Sequence, residues 1–148
     1  MPTATLDTGN PRLLCSGLYV PSKRSAERLA DARNRRPCAG LVLEAPFTSA
    51  ADVAATVLPV VGPLLVRSYN SLPKIRWIRV PKLFLQGDRD EIIPLRLGQE
   101  LFAAAQAPKS FWVIAGAGHN DIVETAGPEY REKLRSFYEG LLRPRSAK

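Results

Sequence analysis

The sequence predicts an α/β domain, a parallel sheet covered by helices on both faces. Three observations carry that expectation. Apolar runs of four to eight residues alternate with longer stretches of helical periodicity. The runs are apolar throughout rather than every second residue, as strands buried on both faces require. Three of them end in distinctive loops, "EAPFTS", "GDRDEIIP" and "GAGHND", and open α/β sheets keep their sites in the loops that follow strands.

The elements follow in order. "LLCSGLYV" (Leu13–Val20) reads as a strand, and "SKRSAERLADARNRR" (Ser22–Arg36) as a helix with Ser22 at its N-cap and Pro37 past its end. "GLVLEA" (Gly40–Ala45) is a buried strand. "TSAADVAATVL" (Thr48–Leu58) opens on capping residues and continues as a helix. "SLPKIRWI" reads as a turn or short helix, and "PKLFLQG" (Pro81–Gly87) as a buried strand. "PLRLGQELFAAAQA" (Pro94–Ala107) is a helix with Pro94 in its first turn. "SFWVIAG" is the next strand. "PEYREKLRSFYEGLLR" (Pro128–Arg143) is an amphipathic helix, with Leu134, Phe137, Tyr138, Leu141 and Leu142 at three- and four-residue steps. The result is βαβαβαβα, with about four strands. No internal repeat is present.

Composition narrows the function classes. The chain has 148 residues, enough for one domain with a core, and is 45% hydrophobic and 24% charged. Two cysteines, Cys15 and Cys38, and one histidine do not make a zinc site, and no cofactor is expected. The cysteine usage fits a reducing, cytoplasmic setting. The start, "MPTATLDTGN", has no apolar core of a signal peptide. The stretch "VAATVLPVVGPLLV" (Val53–Val66) is short for a bilayer and broken by Pro59, Gly62 and Pro63. Its plainer reading is a kinked pair of buried helices; its functional reading is a lid or a weak membrane contact. The net charge is +7. Residues 1–37 hold seven basic and three acidic side chains, and residues 38–148 fourteen and eleven. The later charges are mixed in sign, without the aromatic-interleaved stripe of a single-strand binder, so nucleic acid is not an expected partner. Residues 1–37 thus form an atypical N-terminal segment, 38–143 the α/β domain and 144–148 a basic tail.

The only histidine, His119, follows the apolar run Phe111 to Ile114 and the flexible Ala-Gly-Ala-Gly. A lone histidine is more often structural than functional. Here Asp90 stands in the loop after the preceding strand, 29 positions earlier with one helix between. Consecutive parallel strands joined through a helix bring such loops together. A carboxylate beside an imidazole fixes its tautomer through Nδ1 and stabilises the charge formed when Nε2 takes a proton. His119 is then a general base and Asp90 its orienter.

"LVLEAPFTS", "VPKLFLQGDRDEIIP" and "VIAGAGHND" together resemble the C-terminal half of the α/β-hydrolase fold, in its serine-aminopeptidase-like and prolyl-oligopeptidase-like branch. The resemblance runs from about residue 37 to 142. It implies a partial α/β-hydrolase fold and a serine hydrolase acting on ester, thioester or amide bonds, with Asp90 as the acid and His119 as the base of the triad. Asp88 is then a structural turn residue. An acyl substrate is implied, with Phe47 and the 53–66 segment along an apolar pocket.

The chain departs from that pattern in one respect: no Gly-x-Ser-x-Gly occurs in it. Ser22 falls near the topological slot of the nucleophile, but Val20 and Arg24 stand where the glycines belong and should crowd the turn. Ser22 reads as a helix cap, and the chain as a truncated or frame-shifted copy retaining the Asp and His. The alternatives are a non-catalytic hydrolase-like remnant or interaction module, and a small flavodoxin-like domain. The last lacks a phosphate-binding Gly-x-Gly-x-x-Gly after a strand. A half sheet would expose an apolar edge at Leu41–Leu43 or Leu13–Val20, an expectation of self-association.

Overall fold

The structure, a computed structural model, describes residues 39–57 and 70–142. The strand expected at Leu13–Val20, Ser22 and its helix, most of the 53–66 segment and the basic tail lie outside them.

Three strands, β1 (Leu41–Glu44), β2 (Lys82–Gly87) and β3 (Lys109–Ile114), form a parallel sheet in the order β1-β2-β3. The register pairs Leu41 with Lys82 and Glu44 with Leu85, then Lys82 with Lys109 and Gly87 with Ile114. Parallel pairing follows from the helical crossovers between the strands. Among the described residues five helices accompany them: α1 (Ala50–Val57), α2 (Leu72–Ile75), α3 (Leu95–Ala104), α4 (Ile122–Ala126) and α5 (Pro128–Leu142). Of the four expected strands, the described residues hold three. Among them β1 pairs with β2 alone, so it is an edge here.

Alternation along the strands builds two cores. Leu41, Leu43 and Phe84 face one side and pack with Ile75, Ile78, Leu101 and Ala105, which places α2 and α3 there. Val42, Leu83, Leu85 and Ile114 face the other and pack with Ile122, Tyr130, Leu134, Phe137 and Tyr138, from α4 and α5. Phe84, Phe102 and Phe111 form a ring cluster with centroids 5.2 to 6.1 Å apart. Fully burying a side chain such as Phe84 or Leu85 contributes about 1.5–3 kcal/mol. β2, in the middle, is buried along its whole length, whereas β3 is half-buried. β3 therefore falls short of the two-sided burial its apolar run implies.

The central strand also buries two polar side chains. Lys82 donates from Nζ to the carbonyls of Ile78 at 2.8 Å and Val80 at 2.6 Å, tying down the turn after α2. Burial, and secondarily Lys109, pushes its ammonium down to about 8. Gln86 donates from Nε2 to the Ile93 carbonyl at 2.8 Å, which fixes the far end of the loop after β2. Its Oε1 lies 1.8 Å from where a Cβ on Gly98 would stand, so α3 packs this close only with glycine there.

Helix ends show why the elements begin where they do. At α1 the Ser49 hydroxyl accepts from the Asp52 backbone N–H at 3.0 Å and donates to the Asp52 carboxylate at 2.6 Å. Thr48 also bonds that carboxylate. This is a reciprocal cap with aspartate at the third helical position. Pro94 sits at the N-cap of α3, one residue before the first turn in which the sequence places it. The short α4 is not legible as a separate helix in the sequence; Gly127, at φ 54°, ends it and lets α5 start at Pro128.

Candidate active site

The loops after β2 and β3 meet above the carboxyl ends of these strands. Gly87, the last residue of β2, makes the approach possible. A Cβ there would stand 2.1 Å from the Ala117 carbonyl oxygen and 2.9 Å from that of Gly118. The His119 loop therefore lies directly on the end of β2. The Arg89 N–H donates to the Ala117 carbonyl at 2.9 Å, and the Asp88 N–H to that of Ile114 at 3.2 Å.

Two aspartates hold the His119 loop by its backbone. Asp88 accepts from the Gly116 N–H at 2.7 Å, across 28 positions of sequence. Asp121 accepts from the Gly118 N–H at 2.6 Å. Gly116 is at φ 81°, a conformation that favours glycine. Asp88 is thus structural, though it ties two loops together rather than closing only its own turn.

Asp90 and His119 are in contact. The Asp90 Oδ2 lies 2.8 Å from the His119 Nδ1, and the Asp90 side chain is fully buried while that of His119 is 15% exposed. The carboxylate is an acceptor only, so Nδ1 carries the proton and donates. The other oxygen, Oδ1, accepts from the N–H groups of Ile92 at 2.9 Å and Ile93 at 2.7 Å. Both carboxylate oxygens are therefore satisfied, which makes burial of the group tolerable. With Nδ1 held, Nε2 is the nitrogen left for exchange chemistry.

Glu44, not marked as a site residue in the sequence, stands at the same end of the sheet. It ends the buried run of β1, and its Oε2 accepts from the Tyr130 hydroxyl of α5 at 2.8 Å. Burial raises the Glu44 carboxyl above the usual range; the Tyr130 hydrogen bond and the charge of His119 pull the other way. Burial, and then Glu44, raises the Tyr130 hydroxyl. The next residue, Ala45, has φ 43° and is buried. The one available signal was an acid closing an otherwise apolar strand. Phe47, expected along an acyl pocket, is buried with Ala45, Ile93 and Leu97 beneath the Asp90 loop. Ser22 lies outside the described residues. No cluster of metal-ligating side chains occurs among the described residues.

No family model matches the chain. An uncharacterised protein of Mycobacterium tuberculosis is 39% identical over 105 residues, covering 70% of this chain and 37% of that protein. Human alpha/beta hydrolase domain-containing protein 17B is 34% identical over 107 residues, covering 72% of this chain and 36% of that protein. The Pyrococcus furiosus esterase Pf2001 superimposes with a TM-score of 0.65 at 15% identity, over 80% of this chain and 50% of that one. The esterase domain of a Rhodothermus marinus protein gives 0.60 at 23% identity, over 78% and 55%. The chain belongs to the α/β-hydrolase fold family. It spans little more than a third of the length of these curated relatives. The structural likenesses establish the fold of this chain and not a substrate.

Proposed function

We propose that this chain carries the acid and the base of a Ser-Asp-His hydrolytic site acting on ester, thioester or amide bonds. The observation that carries the reading is the 2.8 Å contact of a fully buried, doubly hydrogen-bonded Asp90 with Nδ1 of His119. In this chemistry a serine oxygen attacks the acyl carbon and its proton passes to Nε2 of His119. The tetrahedral intermediate collapses, and the leaving group takes that proton. Water then repeats the cycle and releases the acid, with Asp90 holding the ring and offsetting its charge throughout. Exposed Ile92 and Val123, on the loop of Asp90 and on α4 after His119, support an acyl substrate with apolar bulk.

The absence of Gly-x-Ser-x-Gly from these 148 residues favours a second reading, a hydrolase-like module that does not catalyse by itself. Association through β1, an edge strand among the described residues, is part of that reading. Among the described residues no helix is long and apolar enough to cross a membrane.

A fluorophosphonate probe and intact-mass measurement separate the two. A single adduct on a serine, lost in His119→Gln, supports hydrolysis. No adduct on the folded chain overturns hydrolysis by this chain and leaves the module.

A further inference from the structure

A second carboxylate is built into the same end of the sheet. Glu44 stands at the carboxyl end of β1, paired in register with Leu85 of β2. It projects to the face of Val42 and Leu85, the face covered by α5. There the Tyr130 hydroxyl donates to Oε2 at 2.8 Å. The His119 loop lies over the end of β2, the strand between its own β3 and β1, as the closeness of Ala117 to Gly87 shows. Ala117, two residues before His119, packs in the same cluster as Val42 and Leu85, on the face to which Glu44 projects, and the charge of His119 acts on the Glu44 carboxyl.

The backbone at this point is unusual as well. Ala45 takes φ 43° while its N–H still donates to the Leu85 carbonyl at 2.9 Å. A non-glycine residue in this region costs on the order of 1 kcal/mol, and such outliers gather at functional sites. Here the kink falls directly after Glu44, where the chain leaves the sheet. A strand needing only an apolar core has no use for a half-buried acid at its last position.

We propose that Glu44, locked by Tyr130, is a second carboxylate serving His119: a positioning residue that stabilises the charged imidazole from β1 while Asp90 holds the ring from the β2 loop. The proposal rests on the acid–base reading of Asp90 and His119 and deepens it. The titratable groups acting on Glu44 are Tyr130 from α5 and His119 from the loop after β3; β2 presents the apolar Leu85. Protonating Glu44 would leave the imidazole with one counter-charge instead of two. Placing the two charges on β1 and on the loop after β2 spreads the stabilisation without disturbing the hydrogen bond that orients the ring.

His119 is the chain's only histidine, so its ring signals are unambiguous in NMR. The test follows the His119 ring protons and the Glu44 side-chain carboxyl carbon through an acid titration of the 148-residue chain. The His119 signals should show a step where Glu44 titrates, absent in Glu44→Gln, a variant that keeps an acceptor for Tyr130. In His119→Gln the Glu44 carboxyl should titrate higher, because the cation that favours its ionised form is gone. Tyr130→Phe should also raise it while keeping the step. A purely structural Glu44 would give no step and the same titration with and without His119, and that result overturns the proposal. An unmoved Glu44 in Tyr130→Phe overturns the lock. None of these readings depends on probe labelling, so failure of hydrolysis and failure of the second carboxylate are distinguishable.

Discussion

Gly87→Ala should dismantle the site while leaving the sheet in place. The added Cβ would stand 2.1 Å from the Ala117 carbonyl oxygen and 2.6 Å from its carbon. These are backbone atoms and cannot rotate aside as a side-chain end could. Ordinary carbon–oxygen contact requires the His119 loop to retreat by roughly 1 Å. That retreat strains the Arg89–Ala117 bond of 2.9 Å and the Asp88–Gly116 bond of 2.7 Å, which close the loop on β2. Overpacking of this kind costs about 1–3 kcal/mol, or a fall in Tm of about 3–10 °C for a chain of this size. The effect on the Asp90–His119 contact should exceed the effect on stability, since a displacement of about 1 Å at a reacting group costs on the order of 100-fold in rate. The assay pairs a thermal melt with the downfield proton resonance of His119 Nδ1–H. Gly87→Ala should fold, melt lower and lose or broaden that resonance. A variant that melts as wild type and keeps the resonance would refute the claim that the glycine is required by the approach of the His119 loop.

Two further outcomes are expected. Asp90→Asn retains an oxygen for the Ile92 and Ile93 N–H groups but sets a neutral amide against Nδ1; the melt should change little, the downfield resonance should vanish, and any fluorophosphonate labelling should slow by about 10⁴-fold, as in a serine protease lacking this charge. Lys82 is lowered to about 8 by burial and then by Lys109, so between about 8 and 10.5 the unfolded chain holds the extra proton and stability should rise with pH across that window; denaturant unfolding should show a gain of about 1–2 kcal/mol after solvent screening, absent in Lys82→Met.

The fold class was legible because β1, β2 and the Phe111–Ile114 part of β3 are short apolar segments between helical patterns, and this needs no knowledge of long-range contacts. Half-burial of β3, an outer strand among the described residues, was not legible, since an apolar residue at a sheet edge reads like one at its centre. Asp90 and His119 could be expected to meet because each follows one of two consecutive strands, and topology then sets the distance. The separate roles of Asp88 and Asp121 were harder to read. Both act on N–H groups of the His119 loop, and an aspartate in a loop carries no mark of which loop it serves. Glu44 and Tyr130 meet across 86 positions through packing of α5 on the sheet, which no local pattern records.

Every bond described above that fixes Asp90 and His119 begins and ends between Gln86 and Asp121. Gln86 anchors the far end of the first loop, Asp88 and Asp121 hold the second, and Gly87 lets one rest on the other. The acid–base contact is therefore held by bonds within the β2–α3–β3 unit, whose Phe84, Leu101 and Ala105 join a core shared with β1 and α2. A nucleophile has no part in making that geometry, so the contact persists whether or not a serine reaches His119. Glu44 is the exception, because it enters from β1 and is held from α5. Its link to the imidazole depends on the third strand and the long helix being in place. The ring's orientation and its first counter-charge, Asp90, are thus set locally, whereas the second, Glu44, requires β1 and α5.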